Sequence, residues 1–489
     1  MLRQLGVLCA LGALAVGCGG QTHHAAPKPA PVRHLAKRHP HRVVPKPQMR
    51  HRRAKLVVTV VNGDTNRRVR NAHVSLWHRR GRTDRRGVVE IRVPWRRPLH
   101  VTVVAHGYTA RAVYEDFRRH RKVTVRIYRP ELQWPLYGAT ATRTQAQTHI
   151  ALRPPFRTVW ATALGGLVEF PAVTWDGVAY VGNARGTVRA LSMRTGAVLW
   201  RHDTPDGKMA SSPAVWGRYL VYHGMEGHVW LLDRATGRLR WHYWVGSPIE
   251  SSPIVRHGID YFGAWNGRLY ALDLRHRRLR WSRTLGAKIT SSASISGRTL
   301  YIGDYAGRLW AIAFGSGRTR WTASVNGRIY GTPAVAAGRI FVPSSSGGSL
   351  TAFSTRGRYL WRISPGAYVY SSPAFSHGRV FFGSYNGVFY GVSASSGRIL
   401  WAVGLGGPIS GAAVVVDGVA YAGSFAGRIV GVDARSGRTL VRFPHGHYVP
   451  VSGNGKRLLF HGYSALYALE PRRRRHLPKR HHLHRKKHR

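Results

Sequence analysis

The sequence predicts an all-β chain: an eight-bladed β-propeller preceded by a small N-terminal β-sandwich. Three observations predict it. Tryptophans recur at Trp160, Trp200, Trp241, Trp281, Trp321, Trp361 and Trp401, in steps of 40 or 41 residues, and Val441 fills the next slot. Glycines recur in the same frame at Gly186, Gly227, Gly267, Gly307, Gly347, Gly387 and Gly427. Short apolar stretches follow Pro213, Pro253, Pro333 and Pro373, with Ala293 and Ala413 in the equivalent slots. Three marks in phase at this period are the signature of stacked repeats.

Each repeat reads as four strands. From Ser371 they are "SSPAFS", "RVFFG", "GVFYGVSA" and "RILWAVG", with turns at His377-Gly378 and Ser395-Ser396-Gly397. Glycine supplies the positive φ of tight turns. Alternation gives each strand two packing faces. One such sheet is not stable alone, but copies stacked around an axis bury both faces. The repeating tryptophan is a large apolar plate that fills the space between adjacent sheets. Seven first strands are expected near Phe170, Ser211, Ser251, Ser291, Gly331, Ser371 and Gly411, and an eighth near Val449. The eighth copy stops at "SALYALEP" without a fourth strand. Upstream, "FRTVWATA" (156–163) carries a tryptophan but follows no blade. Pairing the two closes the ring and removes both free edges.

The start of the chain reads as an export signal. "MLRQLGVLCALGALAVGC" has one positive side chain, Arg3, then an apolar run ending in small residues. It is too short for a membrane span. Leu14-Ala15-Val16-Gly17-Cys18 resembles a bacterial lipoprotein cleavage box, although Ala15 stands where leucine is usual. That resemblance implies a signal peptide over 1–17 and lipid on the sulfur of Cys18. Multiple acyl chains would anchor the protein firmly to the membrane. Residues 18–54 form a basic, Pro- and His-rich tether with little to bury.

Residues 55–130 alternate in "KLVVTVV", "HVSLWHR", "GVVEIRV", "HVTVVAH" and "KVTVRIY". Five strands on this spacing predict a small antiparallel sandwich. Asp84, in "GRTDRRG", is read as a structural turn residue. That hairpin and "AHGYTARAV" resemble the carboxypeptidase-regulatory-like or transthyretin-like domains, which implies a spacer or binding module. The propeller then occupies 131–471.

Charge narrows the partners. Lys and Arg number 76 against 19 Asp and Glu, a formal net charge of +57. Such a field favours anionic surfaces. Residues 472–489, "RRRRHLPKRHHLHRKKHR", hold ten Lys or Arg, five His and no acid. They read as a disordered basic tail that binds anionic lipid or polymer by charge. In an exported protein the expected target is headgroup or wall polymer rather than nucleic acid. The cysteines, Cys9 and Cys18, both precede residue 20, so the remainder forms no disulfide and no thiolate metal site.

The repeats also resemble a known family. Ala271 and Asp273 head one copy; Asp233, Gly237 and Trp241 mark another, and Gly431, Asp433 and Gly437 a third. This resembles the quinoprotein-type repeat, Ala-x-Asp-x-x-x-Gly-x-x-x-Trp, whose members close as propellers, commonly of eight blades. Family dehydrogenases hold a quinone with a hard cation over the channel. Here carboxylates are scarce. The connections into each first strand end in Glu169, Ala210, Glu250, Thr290, Tyr330, Tyr370 and Ser410, and should reach one mouth of the channel. Glu169 and Glu250 could touch a cation or a basic peptide, and Tyr330 and Tyr370 give the mouth an aromatic side for a peptide or glycan. A third ligand is missing, so no metal and no cofactor are expected. No His-Glu-x-x-His, nucleophile elbow or phosphate-binding loop occurs.

The chain is therefore read as a non-enzyme: a monomeric, lipid-anchored envelope scaffold resembling the outer-membrane assembly scaffold. Its partners would be an envelope protein or an anionic wall or lipid polymer. The alternative is a quinone-dependent oxidoreductase.

Overall fold

A computed structural model describes residues 53–472 apart from 95–98, 117–119 and 206. The signal peptide, Cys18, the tether up to 52 and the tail beyond 472 lie outside the described residues. Within them the protein is all-β apart from one 3-10 turn, Pro130–Leu132.

The first module has seven strands: β1 (Arg53–Asn62), β2 (His73–Leu76), β3 (Arg79–Arg82), β4 (Val88–Pro94), β5 (Leu99–Val104), β6 (Arg111–Glu115) and β7 (Lys122–Ile127). They form two sheets, β4-β1-β7 and β3-β2-β5-β6. Inward alternation puts Leu56, Val58, Val60, Val74, Leu76, Ile91, Val101, Val103, Val125 and Ile127 into one shared core. The expectation of five antiparallel strands is corrected in three respects. The short arginine-rich β3 and the strand β6 are additional, the first strand begins two residues earlier, and β1 pairs with β7 in parallel. Asp84 is a turn residue as expected: Oδ1 accepts from the N–H groups of Arg86 and Val88, both at 2.9 Å.

The remainder repeats one four-stranded antiparallel meander in a propeller-like arrangement. In the first sheet β10 (Val173–Trp175), β11 (Val178–Gly182), β12 (Thr187–Ser192) and β13 (Val198–Asp203) pair in chain order. The same order recurs over 214–244, 254–284, 294–324, 334–363, 374–404 and 414–444. The eighth sheet joins Val451–Gly453, Leu458–His461 and Ala465–Pro471 to the upstream strand β9 (Phe156–Ala163). β9 pairs antiparallel with Ala465–Pro471, Trp160 opposite Ala468.

The tryptophan frame has a physical cause. In all eight sheets the third and fourth strands carry a bulge, and in seven of them a marker tryptophan sits beside it opposite Ala, Gly or Leu, with Val441 in that place in the seventh sheet. Except at Trp241, which faces Leu231, the small Ala or Gly across the ladder leaves room for the indole to lean toward the next sheet. There it lies on the positive-φ glycine of the turn between strands three and four. A Cβ built on Gly237 would come within 2.6 Å of Trp200, and one on Gly397 within 2.7 Å of Trp361. The indole N–H then donates into the same turn: Trp200 to the carbonyl of Arg234 at 3.0 Å, Trp361 to Ala394 at 3.1 Å, and Trp401 to Ala434 at 3.2 Å. Trp160 makes the same contact between the eighth sheet and the first, with Met193 at 3.0 Å. A shared apolar cluster, including Trp160, Val181, Leu191 and Leu466, fills that seam.

A second ring of contacts runs along the connections. Backbone N–H groups of Ser212, Ser252, Ser292 and Thr332 donate to the side-chain hydroxyls of Ser252, Ser292, Thr332 and Ser372, at 2.8–3.2 Å. Each hydroxyl serves the preceding repeat, 40 residues away. Backbone donors that the first strand cannot use are thereby satisfied between sheets.

The stretch from Trp134 to Ile150 belongs to no sheet of its own, although the sequence reading placed it in the propeller. It runs across the first strands and takes their unused donors. Val215, Ile295, Val335, Phe375 and Val415 donate N–H to the carbonyls of Pro135, Ala141, Thr142, Thr144 and Gln145, at 2.7–2.9 Å. Its short strand β8 (Ala146–Gln147) adds a parallel edge to the seventh sheet. This plug caps edges that would otherwise present unpaired N–H groups.

Arg143 holds the plug in place. It is fully buried, and its guanidinium donates to the carbonyls of Ala293, Ser252, Pro253 and Tyr137. Burial lowers its pKa, and the neighbouring Tyr137 and Asp260 work against that shift.

Candidate functional site at one mouth of the ring

In a four-stranded meander the turn between strands two and three and the connection to the next sheet share one end. At that end Glu169, Glu250, Tyr330 and Tyr370 all line a single cavity. Thr290, Ser410 and Tyr448 line it too, and Tyr137 of the plug reaches into it. The Tyr137 hydroxyl donates to Ser372 Oγ at 3.0 Å.

Glu250 is the best-defined group there. Oε1 accepts from the Tyr330 hydroxyl at 2.5 Å, and Oε2 accepts from Trp265 Nε1 at 3.2 Å. Burial and then the Glu250 charge push the Tyr330 phenol well above its ordinary pKa, so it stays a donor. Glu169 makes no such pair. Burial raises its pKa, Lys208 lowers it, and Glu250 adds a smaller upward push. The two carboxylates share a cavity but not a ligand.

Three features of the mouth were not read from the sequence. Lys288 lies 3.1 Å above the Trp265 ring centre, with Tyr305 at 5.1 Å. Burial lowers the pKa of this ammonium, opposed by the charge of Glu250. An aromatic arc follows. Tyr370 packs on Tyr330 at 5.3 Å and on Tyr385 at 4.9 Å; Tyr385 reaches Phe425 at 6.0 Å, and Phe425 stacks on His447 at 5.4 Å. Tyr368 and Tyr463 at the rim are more than half exposed. The signal was available: Trp265, Tyr305, Tyr385 and Phe425 each stand two residues before a marker glycine, at the tip of the turn between strands two and three. The third feature, the plug beneath, has no repeating signal.

The seven marker tryptophans lie in fourth strands at the seams and none lines this cavity. Cys18 lies outside the described residues. Among the described residues no group of three or more His, Cys, Asp or Glu could hold a metal ion.

The site does not fit the quinone and hard cation of the family dehydrogenases. Both oxygens of Glu250 already accept hydrogen bonds, and an ammonium sits close by. The cavity encloses about 50 Å³, room for a water or two rather than for a three-ring quinone. The aromatic rim above it carries the exposed rings of Tyr368 and Tyr463.

No curated protein matches the chain. Among solved structures, BamB from Moraxella catarrhalis superposes with a TM-score of 0.57 at 18% identity, covering 67% of this chain and 100% of that one. Quinohemoprotein alcohol dehydrogenase from Comamonas testosteroni gives 0.62 at 14% identity, over 70% and 81%. A europium-containing methanol dehydrogenase gives 0.59 at 13%, over 70% and 98%. At these identities the likenesses speak to fold alone. The family model described as outer membrane protein assembly factor BamB matches in overlapping stretches, 144–295, 184–327, 265–367 and 346–470. These cover more than half of the sequence and nearly all of the repeated sheets, and the chain belongs to that family of PQQ-repeat propellers.

Proposed function

We propose that this protein is a non-catalytic scaffold of the cell envelope, built on a closed eight-bladed propeller whose open mouth docks a partner. One observation carries the reading: the mouth presents an aromatic arc over a carboxylate whose two oxygens are already hydrogen-bonded. Pre-paired groups under exposed rings suit recognition, since aromatic side chains supply large contact area at low entropy cost. Family placement supports the non-enzyme reading and is consistent with an extracytoplasmic location. Closure is supported by β9 completing the eighth sheet and by Trp160 reaching the first.

Export and lipid attachment at Cys18 complete the proposal, with residues 18–54 as tether and the 472–489 tail lying on anionic lipid or polymer. The sandwich, which resembles carboxypeptidase-regulatory-like domains, sets the ring away from the membrane. The partner at the mouth is an envelope protein or polymer, and the ring acts as a monomer. Calorimetric titration with a pyrroloquinoline quinone and calcium tests the enzyme alternative: no binding heat is expected. Stoichiometric binding, lost in Glu250→Gln together with reduction of an artificial electron acceptor, would replace this reading with the oxidoreductase.

A further inference from the structure

Residues 291–404, three consecutive sheets, contain eleven arginines, no lysine and one carboxylate, Asp304. That carboxylate is buried and fully used. Oδ1 accepts from the N–H groups of Ala306 at 2.9 Å and Arg308 at 3.0 Å, and Oδ2 accepts from Trp310 Nε1 at 2.8 Å. Among the described residues none of the eleven arginines is in an ion pair.

Outside this sector an aspartate at the end of the third strand can hold arginine. The third strand ends in Asp233 in the second sheet, and its Oδ2 holds Arg218 at 2.8 Å and Arg240 at 3.1 Å. Asp433 of the seventh sheet holds Arg153 at 3.4 Å. In the three sheets of the sector that slot reads Ala313, Ser354 and Ser393. Ser354 keeps the structural part of the task, its Oγ accepting from Arg358 N at 3.1 Å, without the charge. The acid of that slot is missing from all three sheets while the arginines remain.

These arginines are also aligned. Arg298, Arg339 and Arg379 sit where second strands begin; Arg318, Arg358 and Arg398 sit just before fourth strands. Both turns lie at the end of the sheet opposite the mouth. They touch: Thr355 N donates to Gly338 O at 3.1 Å and Ala394 N to Gly378 O at 2.9 Å. Each sheet thus contributes one arginine pair, and the pairs follow one another from sheet to sheet.

We propose that this strip is the docking surface for a linear phosphodiester polymer, separate from the mouth. Guanidinium forks match phosphate oxygens. A flexible chain with one charge per repeat can pass along this row of pairs from sheet to sheet. The inference rests on the proposed envelope setting and ring closure for its context, but its test does not involve the mouth.

The test uses the full chain and end-labelled poly(glycerol phosphate), with binding followed by anisotropy from 50 to 300 mM salt. The triple variant Arg318→Ser/Arg358→Ser/Arg398→Ser replaces exposed side chains and should melt like wild type. It should bind at least tenfold more weakly at 150 mM salt, with a log–log salt slope shallower by about two. A charge-matched variant in the sandwich, Arg68→Ser/Arg70→Ser/Arg80→Ser, should change affinity by less than about twofold. Equal loss in both would show that bulk charge alone binds the polymer, and would overturn the assignment. No loss in either would transfer binding to the terminal segments and overturn it too. Strip-dependent binding to phosphatidylglycerol vesicles, with polymer binding unaffected by the strip variant, would mean that lipid rather than polymer is the partner. Failure here leaves the mouth reading standing, because neither variant touches it.

Discussion

Trp160→Ala should open the seam between the eighth sheet and the first. The indole is 9% exposed, donates to Met193 O at 3.0 Å, and lies where a Cβ on Gly196 would approach within 2.7 Å. Burying a tryptophan removes roughly 150–250 Å² from water. At about 25 cal/mol per Å² that is worth about 4–6 kcal/mol. The hydrogen bond adds about 1 kcal/mol. Partial collapse of the seam recovers some of this, and a loss of about 3–5 kcal/mol is expected. The control is Trp361→Ala, with the same geometry at an internal seam and a comparable loss. The variants should differ in proteolysis. Only Trp160→Ala frees a strand whose ladder partners are some 300 residues away in sequence, so only it should be cut early near 156–163. Urea unfolding and limited proteolysis are the assays. A Trp160→Ala protein within about 0.5 kcal/mol of wild type, with Trp361→Ala strongly destabilised, would refute the idea that this seam is built like the others.

Other consequences follow from buried groups. His461 is fully enclosed; Nε2 accepts from Ala172 N at 3.0 Å, and burial pushes its pKa down to about 4. The native state therefore binds fewer protons than the unfolded chain between pH 4 and 6.5. Its contribution is fully present above pH 6.5 and is lost as pH falls toward 4, by about 3 kcal/mol; His461→Gln should flatten that part of the stability profile. Asp64 behaves oppositely. Both its oxygens lack a partner, and burial pushes its pKa up to about 7, opposed by Lys456. Stability should fall as pH rises from about 4 to 7, and Asp64→Asn should raise the melting temperature at pH 8 more than at pH 4. Arg143→Met should cost about 3–5 kcal/mol, because four carbonyls lose their donor inside the ring, and Arg143→Lys should not rescue it in thermal melts.

The features legible in the sequence are those the repeat writes many times. The tryptophan is visible because every seam needs the same plate in the same place. The pairing of 156–163 with the last three strands is visible because an unpartnered fourth strand and a copy lacking one remain when the repeats are counted. Glu169, Glu250, Tyr330 and Tyr370 could be placed together because a connection of fixed length always ends at the same mouth. What stayed hidden occurs once. The plug binds six sheets through backbone carbonyls, and backbone bonding leaves no side-chain pattern. Arg143 looked like one arginine among many. The parallel β1–β7 pair was unreadable because alternation specifies faces, not the direction of a partner. Trp265 and Lys288, the neighbours that define Glu250, come from a turn and a different connection, and only the fold brings them together.

The central claim is that the aromatic mouth, not the channel chemistry, is what this protein uses. Photo-crosslinking in the native host tests it most directly, with a light-activated amino acid placed at Tyr368, Phe425 or Tyr463 and, as controls, at Leu199 or Leu239 on the outer strands. A discrete adduct to the same envelope component from the three mouth positions, absent from the two wall positions, is the predicted result. Adducts from the wall positions alone would contradict the account.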